Sequence, residues 1–248
     1  MKVTLINKEE VKDFFEKFGK VATICYDTDE KYAKNVGKSC LKSGHMSGSR
    51  GIYFKFKFEG CPRSLIDQMV RHDVGTFKNV QSFRYVLMDD FSYYTNSLIK
   101  KYPGIESVYD DTMRTIKENY ATIVDMLKEQ GVTGEKANQA ARGILPMNTN
   151  SKVVMGFTAE ALFNFMNKRL CVRAEEHIRQ VARMMKLEVL SVLPEFAKYM
   201  VADCDKNMFC SEGKFCCGRH LTKEQMQDLL SSEVVKNEIT KKKRELSL

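Results

Sequence analysis

Helical and strand-like periodicities succeed one another along this chain. Apolar residues at helical spacing predict amphipathic helices over residues 7–20, 29–41, 62–72, 106–130, 135–142, 159–166 and 173–190. The alternation of Phe and Lys in Tyr53–Phe58 predicts a half-buried strand, and Lys152–Phe157 predicts a second. A third strand is predicted to begin near Val80, where β-forming side chains gather. No internal repeat or low-complexity linker separates these segments, so we predict one main domain.

The stretch from Gln68 to Tyr85 is unusually rich in hydrogen-bond donors. Its sequence, QMVRHDVGTFKNVQSFRY, sets two arginines, a histidine and a lysine among amide and hydroxyl side chains. Guanidinium forks and neutral donors suit a phosphorylated ligand better than a protein core. Gly75 lies between the predicted helix and strand and frees the backbone to turn. The simpler alternative is a solvated basic loop.

The composition indicates a soluble globular protein with an excess of positive charge. The chain has 248 residues, of which 43% are hydrophobic and 29% charged, and its formal net charge is +8. No apolar run approaches the roughly 20 residues that cross a bilayer, and the first residues lack a secretion signal. We therefore expect a cytoplasmic protein without a membrane partner.

The positive charge suits an anionic ligand, which could be a nucleotide or a nucleic acid. Part of it lies in the basic run 241–244 near the C-terminus, which is typical of a solvated end. No helix-turn-helix, zinc-finger or RNA-binding motif favours a nucleic acid, so we do not expect one as partner. Nucleic-acid binding would instead show as salt-sensitive DNA binding that a nucleotide does not compete.

Eight cysteines fall into a scattered set and a cluster. Cys25, Cys40, Cys61 and Cys171 are scattered, whereas the cluster consists of Cys204, Cys210, Cys216 and Cys217. The cluster lacks the two Cys-x-x-Cys pairs of a zinc site, and adjacent cysteines are awkward ligands for one ion. We assign no metal ligand and expect unligated thiols, with metal binding as the alternative that metal analysis decides.

Four ordered blocks between His45 and Pro194 resemble the flavin-dependent thymidylate synthase family. The first is His45-x-Ser47 ahead of the Phe-rich strand, and the second is Arg71-His72 followed by Ser82-Phe83-Arg84-Tyr85. The third, Ala141-Arg142-Gly143-Ile144-Leu145-Pro146, matches the family pattern at every position. The fourth places these residues in register: Asn164, Phe165, Arg169, Ala174, Ile178 and Arg179.

The resemblance implies an α+β fold with a central curved antiparallel sheet flanked by helices. It places this domain at residues 1–220, followed by a helical, basic C-terminal tail at residues 221–248. It also implies a homotetramer with active sites at subunit interfaces. The implied activity is a methyltransferase that converts dUMP to dTMP with methylenetetrahydrofolate as one-carbon donor, FAD as cofactor and NADPH as reductant.

The same resemblance assigns individual residues. The implied dUMP-binding residues are Gln68, Gln81, Ser82, Arg84, Arg142 and Arg169. Arg169 is also the implied catalytic residue, because a guanidinium at the pyrimidine ring stabilises negative charge that develops there. The implied FAD-binding residues are Ser47, Arg71, His72, Asn164 and Arg173. No histidine–acid pair in the sequence is placed to activate Ser82 as a nucleophile, so we assign its hydroxyl to the phosphate.

Departures from the family pattern fall mostly on the flavin side. Asp73 stands where an arginine is usual, and Arg50-Gly51 replaces a usual Glu-His. Further departures are Val80, Thr158, Glu160, Lys168 and Arg173. An acid at position 73 is expected to repel a pyrophosphate. The alternative is therefore a relative that binds a pyrimidine nucleotide but is inactive, or one that transfers a different one-carbon unit.

Overall fold

The structure is a computed structural model that describes residues 1–232, 237, 238, 241 and 242. It divides into two compact units, residues 1–161 and residues 162–248. The strands are β1 (Lys2–Leu5), β2 (Tyr53–Pro62), β3 (Thr76–Val80) and β4 (Asn150–Thr158). The helices are α1 (Lys8–Val11), α2 (Phe14–Tyr26), α3 (Ala33–Ser43), α4 (Arg63–Met69), α5 (Ser97–Lys100), α6 (Pro103–Glu129), α7 (Gly134–Ala141), α8 (Ala159–Arg169), α9 (Glu176–Leu190), α10 (Asp203–Asn207) and α11 (Lys223–Ser231).

One antiparallel sheet carries the first unit. Its strand order is β1-β2-β4-β3, and every neighbouring pair runs antiparallel. The alternation predicted for β2 is confirmed, since Phe54, Phe56 and Phe58 are fully buried. The lysines between them lie on the other face and are half-buried. The predicted α+β class with an antiparallel sheet is confirmed.

Aromatic packing joins this sheet to the first helices. The ring of Phe14 on α2 lies 5.7 Å from that of Phe54, and Phe56 meets Phe157 of β4 at 6.0 Å. Helix α2 also packs closely on α3, where a Cβ added at Gly19 would lie 1.7 Å from the carbonyl oxygen of Ala33. Gly19 lies near the end of the helix predicted over residues 7–20 but inside α2, where this close approach requires the smallest residue.

A second hydrophobic cluster holds the segment after β3 against two helices. Phe83, Met88 and Phe91 are buried with Tyr120 of α6 and Ala141 of α7. The buried hydroxyl of Tyr120 accepts a hydrogen bond from the backbone N–H of Met88 at 3.3 Å. This cluster therefore brings the Ser-x-Arg-Tyr segment to the end of α7.

The second unit is built on α9, whose apolar face is buried. Ile178, Val181 and Met185 are fully buried there. Phe163 makes ring contacts with Phe196 at 5.1 Å and Tyr199 at 5.4 Å. Among the described residues, no helix is both long and apolar enough to cross a membrane.

Several predicted boundaries differ from the structure. The first predicted helix is two helices, α1 and α2, and the helix predicted from Arg173 begins at Glu176. The third strand ends at Val80 instead of beginning there, because Phe83 leaves the sheet for the second hydrophobic cluster. The helix predicted over residues 29–41 is α3, which Gly44 ends with a positive φ of 76°.

The predicted division at residue 220 stays a prediction. Helix α11 lies in the proposed tail and carries a capping box at Thr222. Residues 233–236, 239–240 and 243–248, which include half of the basic run, lie outside the described residues.

Candidate nucleotide and flavin site

Arg84 is half-buried in the turn that follows β3. Its Nη2 donates to Glu135 Oε1 of α7 at 2.5 Å and to Tyr85 Oη at 2.6 Å. Its Nε is buried and has no hydrogen-bond partner among the described residues. A buried donor left unpaired costs about 1–3 kcal/mol. The guanidinium is thus anchored in the turn through Nη2.

Two further arginines gather beside this turn. Arg63, the first residue of α4, donates through Nη2 to the carbonyl of Gln81 at 2.5 Å, and its guanidinium lies 4.0 Å from the centre of the Phe83 ring. Burial is the main cause that lowers the pKa of Arg63; Asp67 raises it, and the nearby charge of Arg142 lowers it. Arg142 is exposed at the residue after α7.

Arg63 was not predicted as a site residue. The sequence signal that could have found it is a cation at the first position of a helix, where the helix dipole disfavours positive charge. Such a residue needs a local reason. Here that reason is the packing of its guanidinium on Phe83 and its bond to Gln81.

Gln81 and Ser82 take part in the backbone of the turn. The N–H of Gln81 donates to the carbonyl of Lys152 at 2.9 Å, and its Oε1 accepts from the N–H of Lys152 at 3.0 Å. Ser82 Oγ accepts from the N–H of Arg84 at 3.3 Å. The amide NH2 of Gln81 and the hydroxyl of Ser82 are therefore the groups of these two side chains that can donate to a ligand. They lie within three residues of Arg84.

The structure separates Gln68 from Arg71. The helix predicted over residues 62–72 would carry both, but α4 ends at Met69, and Arg71 lies in the turn beyond it. Gln68 is half-buried on α4, whereas Arg71 is exposed and His72 is half-buried. The helix ends early because the chain must turn back into β3 through Gly75.

Gly75 is required at this turn for two reasons. Its φ is +72°, which side chains other than glycine rarely adopt, and an added Cβ would lie 2.7 Å from Thr158 Oγ1. Its carbonyl accepts from the N–H of Thr158 at 2.9 Å. The turn that carries Arg71 and His72 is thus fastened to the end of β4.

The acid at position 73 is paired. Asp73 Oδ1 lies 2.5 Å from Lys78 Nζ of β3. The hydrogen bond from Lys78, together with its charge, lowers the pKa of Asp73. The expected repulsion of a pyrophosphate is therefore offset by a neighbouring ammonium group.

Two of the departures from the family pattern are partners of each other. Arg50 Nε lies 3.6 Å from Glu160 Oε2, and both side chains are largely exposed. Arg50 follows the short 3₁₀ helix Ser47–Ser49, in which Ser47 is exposed. Glu160, too, is therefore matched by a positive charge.

The remaining predicted residues lie in the second unit or at its edge. Asn164 is exposed on α8, and Arg169 is half-buried at the end of that helix. Arg173 forms an ion pair with Glu212 at 3.5 Å, and its guanidinium lies 4.1 Å from the centre of the Phe215 ring. Arg173 is thus held by the loop that contains the cysteine cluster.

The chain is similar to known proteins over most of its length. The family model described as thymidylate synthase complementing protein matches residues 6–195. The flavin-dependent thymidylate synthase of Nitratidesulfovibrio vulgaris is 35% identical over 189 residues, which cover 76% of this chain and 77% of the relative. That of Clostridium tetani is 30% identical over 207 residues, covering 80% and 82%.

A solved structure shows the same fold. The flavin-dependent thymidylate synthase of Helicobacter pylori, solved in complex with FAD and dUMP, aligns with a TM-score of 0.56 and 18% identity. The alignment covers 82% of this chain and 99% of that one. Because the family model spans more than half of the chain, the chain belongs to the flavin-dependent thymidylate synthase family, a family of methyltransferase enzymes.

Proposed function

We propose that this protein is an FAD-dependent thymidylate synthase that converts dUMP to dTMP. In this proposal methylenetetrahydrofolate donates the one-carbon unit and NADPH is the reductant. The observation that carries the proposal is the guanidinium of Arg84, which is held in a turn beside Ser82 and whose buried Nε has no hydrogen-bond partner in the part of the chain that the structure describes. The names of the relatives and the bound dUMP and FAD of the Helicobacter pylori enzyme support it.

The arginines around Phe83 suit the phosphate of dUMP. A phosphate monoester carries nearly two negative charges at neutral pH, and guanidinium groups bind its oxygens with strong, directed hydrogen bonds. Glu135 neutralises part of Arg84, so Arg142 and Arg63 supply the additional positive charge. Ser82, Gln81 and Gln68 would add neutral hydrogen bonds.

We assign Arg169 to the uracil ring. Methylation at carbon 5 of the pyrimidine is easier when negative charge on the ring is stabilised, which a guanidinium does without taking a proton. Arg169 is the catalytic residue of this proposal. Loss of its charge is expected to reduce turnover more than dUMP affinity.

The residues proposed to hold FAD are Ser47, Arg71, His72, Asn164 and Arg173. They fit a pyrophosphate, because the two acids that replace usual residues, Asp73 and Glu160, are each ion-paired. When bound, FAD supplies the hydride that completes the methyl group. The protein side chains bind and orient the reactants and keep the developing charge stabilised.

The assembly and location belong to the proposal as well. We propose a homotetramer with active sites between subunits, in the cytoplasm, with dUMP and the folate as its small-molecule partners. Size-exclusion chromatography with light scattering tests the tetramer.

The experiment is an absorption spectrum of purified protein with added FAD, followed by anaerobic reduction with NADPH, with and without dUMP. We expect a bound-flavin spectrum that dUMP perturbs, and dTMP formation when methylenetetrahydrofolate is added. Absence of flavin binding, with dUMP binding intact by calorimetry, would overturn the enzyme proposal. It would favour the alternative of a nucleotide-binding relative without this activity.

A further inference from the structure

Three of the four clustered cysteines turn inward together. Cys204, on α10, and Cys210 are buried with Ala202, and Cys216 packs against them. The N–H of Cys210 donates to the carbonyl of Leu221 at 2.7 Å, which ties this loop to the chain just before α11. Cys217 is exposed. Adjacent cysteines therefore do not compete for one site, because only Cys216 joins the inward group.

A histidine completes the group. Cys204 Sγ, a carboxylate oxygen of Asp205 and a ring nitrogen of His220 all lie within 4.8 Å of one another. Asp205 Oδ1 lies 2.9 Å from His220 Nε2, so a hydrogen bond there leaves Nδ1 for another partner. A carboxylate that orients a histidine in this way is the usual support of a zinc-bound imidazole.

Cys216 lies beside both the other thiols and this histidine. Its thiol donates to the carbonyl of His220 at 3.2 Å, and its Sγ accepts from the N–H of Gly218 at 3.3 Å. The side chains of Cys210 and Cys216 are hydrogen-bonded to each other, and both pack against Cys204. Thiolate sulfur is a preferred ligand of zinc, so neighbouring cysteines suit this ion.

We propose that Cys204, Cys210, Cys216 and His220 bind one zinc ion as a tetrahedral Cys₃His site. Zinc–sulfur and zinc–nitrogen bonds of about 2.0–2.3 Å place tetrahedral ligands roughly 3.5 Å apart. Cys204 Sγ and the ring nitrogen of His220 lie within 4.8 Å of one another, so they need to approach by at most about 1.3 Å to reach that spacing. Cysteine side chains rotate about one bond, so rotamer changes supply much of this movement.

The surroundings provide the charge balance that this site needs. Three thiolates and one zinc ion carry a net charge of −1. Arg219 Nη2 donates to Cys204 Sγ at 3.3 Å and lies 3.4 Å from Asp205 Oδ2. One guanidinium therefore neutralises the site and holds the carboxylate that orients His220.

The metal would stabilise a loop with little core of its own. Between Cys210 and Cys216 this loop presents Glu212 and Phe215, which hold Arg173. A structural zinc ion supplies folding free energy where apolar burial is small. The ion would thus fix the position of Arg173 without taking part in the reaction.

The test is elemental analysis of the full chain purified under reducing conditions without chelator. We expect about one zinc per chain, lost in Cys204→Ser, Cys216→Ser and His220→Ala. Cys217→Ser is the matched control, because it removes the exposed neighbour of Cys216 and should keep the metal. Asp205→Asn should weaken zinc binding by about 10- to 100-fold, and Asp203→Asn should not.

Cobalt substitution keeps the test decisive if a variant fails to fold. Wild-type protein stripped of metal and titrated with Co²⁺ should show sulfur-to-cobalt charge transfer and the visible bands of a tetrahedral site. No metal in the purified protein together with no cobalt spectrum would overturn the proposal. So would a disulfide among these cysteines, or equal loss of metal in Cys217→Ser and Cys216→Ser.

Discussion

Charged side chains are arranged differently on the proposed nucleotide side and on the proposed flavin side of the candidate site in the first unit. On the proposed nucleotide side Arg63 packs on the buried Phe83 and lies near Arg142, and the buried Nε of Arg84 has no partner among the described residues. On the flavin side the unusual charges cancel in two ion pairs, Asp73 with Lys78 and Arg50 with Glu160. In the first arrangement the positive charge is only partly neutralised and can bind an anion, whereas in the second each charge already has a partner.

This difference shows how a site can change in sequence and still bind an anion. Exposed ion pairs contribute little free energy, typically 0–1 kcal/mol, so a ligand can displace or rearrange them at low cost. The half-buried guanidinium groups of Arg63 and Arg84 are held by Gln81 and Glu135 and rearrange less easily. The charged departures Asp73, Arg50 and Glu160 accordingly have exposed side chains.

The largest effect is expected for Arg84→Ala. Removing this guanidinium should weaken dUMP binding by about 2–4 kcal/mol, roughly 30- to 700-fold, since Glu135 is also left without its partner. The dUMP affinity of Arg84→Lys should lie between those of the wild type and Arg84→Ala, because an ammonium keeps the charge but loses the forked donors of the guanidinium. Calorimetry with dUMP measures both.

Arg114→Ala is the control for Arg84, since Arg114 is likewise an arginine with one ion pair, to Asp111 on α6, but its side chain is largely exposed. Its dUMP affinity should equal that of the wild type. Unchanged dUMP binding by Arg84→Ala would remove the contrast between the two sides.

Gly75→Ala should affect the flavin side through the backbone. The positive φ and the contact with Thr158 predict destabilisation of about 1–3 kcal/mol, with a lower FAD affinity because the turn carrying Arg71 and His72 shifts. Denaturant midpoints measure the stability. Gly51→Ala is the control, because nothing lies within 4 Å of its added Cβ. Equal midpoints for the two variants would contradict the prediction.

Exchanging the charges of Arg50 and Glu160 should have a smaller effect. Arg50→Glu alone brings two acids together, and the second change, Glu160→Arg, should restore the pair. Because the two side chains are 68% and 47% exposed, the coupling free energy should be about 0.5 kcal/mol or less. A double-mutant cycle at low and high salt measures it. A coupling of several kcal/mol would show that this side is as firmly built as the nucleotide side.

Asp73→Asn should give the smallest effect, visible as a change in pH dependence. Lys78 lowers the folded-state pKa of Asp73 below its ordinary value of 3.8. The stabilisation is therefore present above that ordinary value and is lost as pH falls through the lowered folded pKa. The variant should lose part of the difference between denaturation midpoints measured at neutral and at strongly acidic pH. Lys78→Met should lose the same part of this difference between midpoints, and the double variant should lose no more than either single variant. Additive losses in the double variant would contradict the pairing of Asp73 with Lys78.

Local sequence patterns predicted helices, strands and turns correctly where the structure depends only on residues close together in the chain. The alternation in β2 and the turn at Gly75 could both be predicted from the sequence, because each depends on neighbouring residues. The start of β3 was not, because Val80, Phe83 and Tyr85 look like one strand. Only the buried position of Phe83 beside Tyr120 explains why the strand stops.

The sequence by itself determined the family, since that follows from residue types at short, characteristic spacings, and the residues proposed for the nucleotide side stay a prediction from the same spacings. The tertiary structure alone decided which charges are paired, that Arg63 joins Arg142, and that Cys216 rather than Cys217 turns inward. The physical reason is that ion pairs and burial depend on the approach of segments far apart in the chain. A local sequence pattern does not predict which distant segments approach one another.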